Sequence, residues 1–141
     1  MRLVLGTNVV ASAILWGGTP RPLLKAAREK PIDLLTSTPM LAELTDILGR
    51  RKFADKIAAS GLTIDQPVDG HARLAALVHS APVPRIAPVP DDDVVIGTAL
   101  AAKAELIVTG HKPLLTVLEH QGVKIVGVVQ AVETVDARSK T

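Results

Sequence analysis

Leu3-Val4-Leu5-Gly6-Thr7-Asn8 is the stretch on which the fold turns. Three consecutive aliphatic residues offer no polar face, so a strand made of them must be covered on both sides. The small polar residues that follow suit a turn or a helix start. The same pattern recurs downstream: Asp33-Leu34-Leu35-Thr36 runs into Ser37, Leu106-Ile107-Val108 runs into Thr109-Gly110-His111, and Lys124-Ile125-Val126 is a fourth aliphatic run. Helical patterns fill the intervals. Val9 to Leu15 reads as a small-residue helix that Gly17-Gly18-Thr19-Pro20 breaks, and Pro22 to Glu29 as a second helix. Ser37 is expected to cap a third, with Pro39 in its first turn and Met40, Leu41, Leu44, Ile47 and Leu48 forming one apolar stripe.

Further along, Phe53 to His79 reads as helix interrupted at Gly61, Pro67 and Gly70. Pro82 to Pro90 carries four prolines and is expected to be an extended connector. A helix from about Asp93 to Lys103 is apolar nearly all round, which marks it as buried. Pro113 to His120 is expected to be helical, and the polar tail from Asp136 to be frayed. Aliphatic strands alternating with helices predict an α/β fold with a central parallel sheet flanked by helices on both faces. Ligands of such sheets bind beyond the carboxyl ends of the strands, so the informative positions directly follow Leu5, Thr36, Pro90 and Val108.

The chain has 141 residues, a net charge of +2 and 48% hydrophobic residues, with a pI of about 9.2 and mean hydropathy +0.32. This fits a single domain spanning 1–141, with a buried core and no repeats. No apolar run reaches the roughly 20 residues that a spanning helix needs, and the N-terminus lacks a signal-peptide pattern, so a soluble, cytoplasmic protein is expected. The absence of cysteine excludes disulfides, thiol catalysis and thiolate metal sites. With one Trp, one Phe and no Tyr, an aromatic platform for nucleic-acid bases is not expected. The basic residues are spread along the chain. The densest group, Arg50-Arg51-Lys52, reads either as a helix end that complements the macrodipole or as a phosphate contact.

Asp91-Asp92-Asp93 is the strongest chemical signal. One carboxylate at a helix start caps N–H groups, but three in a row raise one another's pKa unless a cation relieves them. Glu43 sits at the border of the apolar stripe, on the side it shares with Asp46 and Arg50, where a carboxylate can face a cleft. Thr7, Asn8 and Thr109-Gly110-His111 are also ordinary turn and cap chemistry. His71, His79 and His120 fall in segments read as helical and are expected at the surface or in packing, not as ligands.

From Met1 to about Val132 the sequence resembles the PIN-domain proteins, in particular the VapC-like toxin components of type II toxin–antitoxin systems. The resemblance rests on Leu3 through Val10, on Ser12-Ala13-Ile14-Leu15-Trp16-Gly17-Gly18, and on Leu35-Thr36-Ser37 through Glu43-Leu44. It continues in Pro90-Asp91-Asp92-Asp93 and in Ile107-Val108-Thr109-Gly110-His111 with Leu114-Leu115. It implies a metal-dependent endoribonuclease that uses Mg²⁺ or Mn²⁺, with RNA as substrate, a cognate antitoxin as partner, and a homodimer. On the family's pattern Glu43 is the second acidic position, and the third falls on Asp92, or on Asp93 with a shift of one residue. Thr7 and Asn8 match the hydroxyl and amide beside the first Asp. That Asp is replaced here by Gly6, and the usual Asp of the fourth motif by His111. Glycine supplies no ligand and an imidazole nitrogen suits Mn²⁺ better than Mg²⁺, so a weakened metal site is expected.

Two readings from other classes stand beside this one. A catalytically inactive PIN module would bind RNA or a partner protein through the same surface. A phosphoacceptor receiver domain also gathers acids at parallel strand ends, but places its pair directly after the first strand, where this chain has Gly6. The nuclease reading requires residues 6, 43, 92 and 111 to converge at one end of the sheet.

Overall fold

In a computed structural model that describes residues 1–16, 21–29 and 32–139, the aliphatic runs form the sheet. β1 (Arg2–Leu5) lies near its middle, parallel to β2 (Asp33–Thr36) on one side and to β4 (Leu106–Val108) on the other. β3 (Ala76–Leu77) extends the sheet beyond β2, and β6 (Val123–Val126) extends it beyond β4, both in parallel. β5 (Glu119–His120) closes the far edge antiparallel to β6, which gives the order β3-β2-β1-β4-β6-β5.

Alternation along these strands splits the interior in two. Leu3, Leu5, Leu34, Leu106, Val108 and Val126 point into one core, packed by α1 (Thr7–Leu15), α2 (Arg21–Arg28), α3 (Thr38–Leu48), α4 (Arg51–Ser60) and α8 (Val128–Ser139). Val4, Leu35, Ile107, Val123 and Ile125 point the other way, onto α6 (Pro90–Ala102) and Leu114 of the short α7 (Lys112–Leu115). Helices therefore cover both faces, as the uniformly apolar strands demand.

Several boundaries depart from the sequence reading, each for a local reason. α1 begins at Thr7, so Thr7 and Asn8 belong to its first turn and Gly6 is the N-cap. The stretch from Phe53 to His79 divides into α4 and α5 (Asp65–Leu74) at Gly61, whose φ of +76° ends α4 in the left-handed region. Pro67, in the first turn of α5, lacks only an N–H that has no intrahelical partner there, and Gly70 does not interrupt the helix either. His79 follows β3 and lies outside any helix.

The expected helix Pro113–His120 shrinks to α7, because Gln121 (φ 48°) and Gly122 (φ 85°) form the two-residue turn of a β5–β6 hairpin. His120 is thus a strand residue. Of the tail expected to fray from Asp136, residues 136–139 are instead the last turn of α8, and 140–141 lie outside the described residues. Ala131 and Val135 of α8 are buried, and Arg138 Nη1 meets Glu105 Oε2 at 2.6 Å. The Gly17–Pro20 break lies outside the described residues.

The proline-rich connector forms neither strand nor helix from Pro82 to Val89 but is bent at Arg85 and at Ala87, Pro88 and Val89, and Pro90 already opens α6; the segment leading into it is tied to α6. Ser80 Oγ donates to the Val94 carbonyl (3.1 Å) and the Ala81 N–H to the Gly97 carbonyl (3.0 Å). A Cβ at Gly97 would collide with the Ala81 carbonyl oxygen and approach Ser80 Oγ to 2.7 Å. Backbone cannot yield as a flexible side-chain tip can, so Gly97→Ala is expected to destabilise the fold by about 1–3 kcal/mol, the usual cost of overpacking. Urea unfolding of the variant against the unaltered chain measures it.

Candidate functional site

Parallel order brings the carboxyl ends of β1, β2 and β4 to one edge of the sheet, where the chain turns into α1, α3 and the Thr109-Gly110-His111 loop. The Gly6 N–H donates to the Val108 carbonyl at 2.8 Å, which ties the exit of β1 to that of β4. A polar cleft of about 260 Å³ opens there, lined by Gly6, Thr7, Asn8, Glu43, Asp92 and His111 among others. The four positions required to converge do so.

Each side chain has a definite partner. Thr7 Oγ1, buried, donates to Glu43 Oε1 at 2.6 Å and holds the half-buried glutamate of α3 at the mouth of α1. Asp92 Oδ2 lies 2.8 Å from His111 Nδ1. His111 is itself positioned by its backbone N–H, which donates to Thr109 Oγ1 at 3.0 Å. Burial pushes the Asp92 carboxyl above its ordinary value of 3.8; the charge and hydrogen bond of His111 oppose this, and Asp91 and Asp93 reinforce it.

The aspartate triplet has divided its labour. Asp91 is exposed at the cleft wall, and Asp92 turns into the cleft. Asp93 turns away from it. Its Oδ1 accepts the N–H groups of Ile86 (3.2 Å) and Ala87 (2.8 Å), and its Oδ2 meets Arg85 Nε at 3.2 Å. The structure therefore separates Asp93 from the metal-ligating and catalytic group expected for it, and makes it the anchor of the proline-rich connector.

Asp46, Arg50 and Val89 also line the cleft, although the sequence reading assigned them no role there. The signal was present for Asp46 and Arg50, which share the border of the α3 stripe with Glu43. Arg50 Nη2 pairs with Asp46 Oδ2 at 3.1 Å, and Arg51 and Lys52 open α4, where basic charge opposes the helix dipole. The macrodipole account of that basic group therefore fails for Arg51 and Lys52. Ser37 is the N-cap residue of α3, as expected, and its carbonyl accepts the Leu41 N–H at 2.9 Å, but its hydroxyl bonds Thr98 Oγ1 at 2.8 Å and caps no first-turn N–H.

As they stand, these donors do not make a complete metal centre. Among the described residues no group of three or more His, Asp or Glu is placed to hold an ion. Asp92 is taken by His111, Glu43 by Thr7, and Gly6 offers nothing. The backbone at Gly6 does not require glycine, since φ −59° and ψ 150° suit any L-residue. A Cβ there would meet the Val108 carbonyl oxygen at 3.3 Å and Thr109 Oγ1 at 3.4 Å, so a side chain needs a shift of a few tenths of an ångström.

The sequence matches a known family. The PIN domain family profile aligns with residues 2–112, which include every cleft residue named above, and the chain belongs to the PIN-domain family. Among solved structures it is similar to a chain of VapBC2 from Rickettsia felis, crystallised bound to a DNA fragment from their promoter. That match has a TM-score of 0.59 at 15% identity and covers 90% of this chain and 98% of that one. No curated protein matches at a significant level. No described helix is long and apolar enough to cross a membrane.

The division between Asp92 and Asp93 is measurable. Asp93→Ala leaves two connector N–H groups without their charged acceptor, and is expected to cost about 2–4 kcal/mol in urea unfolding. Asp92→Asn should act in the opposite direction. A carboxyl whose native pKa is raised holds its proton more tightly when folded, so its contribution to stability falls as pH rises above 3.8 through the native value. The Asn variant is therefore expected to melt higher than the unaltered chain at pH 7, with the difference closing as pH falls below 3.8.

Proposed function

We propose that this chain is a single-domain ribonuclease of a toxin–antitoxin pair, acting on RNA phosphodiesters with Mg²⁺ or Mn²⁺ and weakened by Gly6 and His111. One observation carries the reading. Glu43 and Asp92, contributed by different helices, line one cleft with Thr7 at the carboxyl end of the sheet in a PIN-family chain. Two carboxylates completed by water can hold a magnesium ion, and Glu43 and Asp92 are the residues this reading assigns to it. Thr7 fixes the Glu43 carboxylate, while Asn8 orients substrate from the same turn. No side chain caps α1, so its first-turn N–H groups remain available to a phosphate oxygen at the cleft. The similarity to a VapBC2 chain supports an antitoxin partner. A homodimer and a cytoplasmic location complete the reading.

The His111–Asp92 pair favours a second reading, a non-catalytic PIN module that binds RNA or a partner protein. Here the imidazole occupies the carboxylate that an ion would need.

Gly6→Asp separates the two. It returns a carboxylate to the end of β1 at a backbone conformation that accepts one. Metal affinity, read by calorimetry with Mn²⁺ and Mg²⁺, is expected to rise at least tenfold, the lower bound of what even supporting residues contribute. Cleavage of single-stranded RNA should rise with it, more so in Gly6→Asp/His111→Asp, and Glu43→Ala in the restored background should abolish it. Equal inertness and equally poor metal binding in all these proteins would establish the non-catalytic module instead.

A further inference from the structure

A hollow larger than the cleft lies elsewhere in the described chain. A cavity of about 480 Å³ lies between α1, α2 and α5, walled by Ile14, Leu24, Pro67, Leu74 and the ring of His71, with Arg28 and Arg73 completing it. Ile14 is seven residues beyond Thr7, so about 10 Å of α1 separate this cavity from the cleft at 1.5 Å per residue. Nothing in the nuclease reading uses it.

Three independent features mark the cavity as built. Gly70 lies inside α5, where glycine is the poorest helix former after proline. It lines the cavity, and a Cβ added there would meet nothing within 4 Å. Any larger residue would favour the helix and reduce the space. Next, His71 is 6% exposed, and its Nδ1 is sealed from water with no hydrogen-bond partner. Burial lowers its pKa from 6.5 to about 4, so at neutral pH the ring is uncharged and carries one N–H donor. Last, Arg28 and Arg73 are exposed and have no ion-pair or hydrogen-bond partner among the described residues. A smaller hollow that shares Ile14, Leu24 and Arg28 adds Arg21 and Lys25; Lys25 Nζ is matched by Glu29 Oε1 at 3.9 Å, so Arg21 is what extends the positive charge along α2.

We propose that this cavity is a binding site for a small amphiphilic anion: an apolar body seated against Ile14, Leu24 and Leu74, and a carboxylate or phosphate head held by Arg28 and Arg73, beside the wall to which the His71 ring belongs. The volume falls in the range of small-molecule sites, and mostly apolar walls with a few convergent polar groups are their usual make-up. The head must be anionic because the charge left unbalanced at this wall is cationic. The body must be apolar because the walls are. This site stands apart from the cleft and does not depend on the nuclease reading.

The test titrates the full chain with decanoate, decyl phosphate, decanol and inorganic phosphate by calorimetry, and follows the His71 ring protons by NMR. Saturable binding of decanoate or decyl phosphate with displacement of the His71 signals is expected, and the stronger of the two identifies the head. Decanol and inorganic phosphate should each bind at least tenfold more weakly. Gly70→Leu should fill the cavity and abolish binding while melting no lower than the unaltered chain, which excludes unfolding as the cause. Arg28→Gln/Arg73→Gln should weaken both anions at least tenfold and leave decanol unchanged. The proposal is overturned if neither amphiphile saturates, if Gly70→Leu binds them as well as the unaltered chain, or if decanol matches decanoate. It is also overturned if only an acidic amphipathic peptide binds, because the occupant is then a protein segment.

Discussion

The hydrogen-bonded triplet β2-β1-β4 is the constraint from which the rest of the molecule follows. Because these strands are parallel, each must return over the sheet before pairing again, and the returns place helices on both faces. The same parallelism puts every strand exit on one edge. Thr7, Glu43, Asp92 and His111 come from segments widely separated in sequence, and this shared edge gathers them. The bond from the Gly6 N–H to the Val108 carbonyl fixes the relation of the two central exits at its tightest point.

What the sequence made legible is what the sheet dictates. Runs such as Leu3-Val4-Leu5 and Leu106-Ile107-Val108 are apolar at every position, and only a strand buried on both faces uses such a run economically. Glu43 was legible because it stands at the border of the apolar stripe of α3, where a carboxylate can face a cleft. The elements that escaped lack such a signature. β3 has two exposed residues, Ala76 and Leu77, and exists only because β2 offers a free edge. β5 depends on the left-handed conformations of Gln121 and Gly122, and glutamine does not announce one. α8 ends in the polar stretch from Asp136, and its packing of Ala131 and Val135 against the core makes it a helix of the fold.

The aspartate triplet shows why spacing cannot replace geometry at a site. Successive residues of a helix point about 100° apart, so three adjacent carboxylates cannot share one task. Asp92 faces the cleft at a cost that burial imposes on its ionisation, and His111 offsets that cost in part. Asp93 faces the connector and gives its oxygens to backbone N–H groups and Arg85. The repulsion that a row of carboxylates suggests is relieved first by divergence. The need for a cation is correspondingly smaller than the sequence implies.

Both borders of the sheet are formed by two-residue strands, β3 at one side and β5 at the other. A free strand edge is a template on which another chain can extend the ladder, and the hazard grows with its length. Here the long aliphatic strands that build the core are all interior, and the residues left at the rim are too few to recruit a stable partner strand. A chain this rich in valine, leucine and isoleucine is thereby protected from edge-to-edge sheet growth by its topology, without relying on charge.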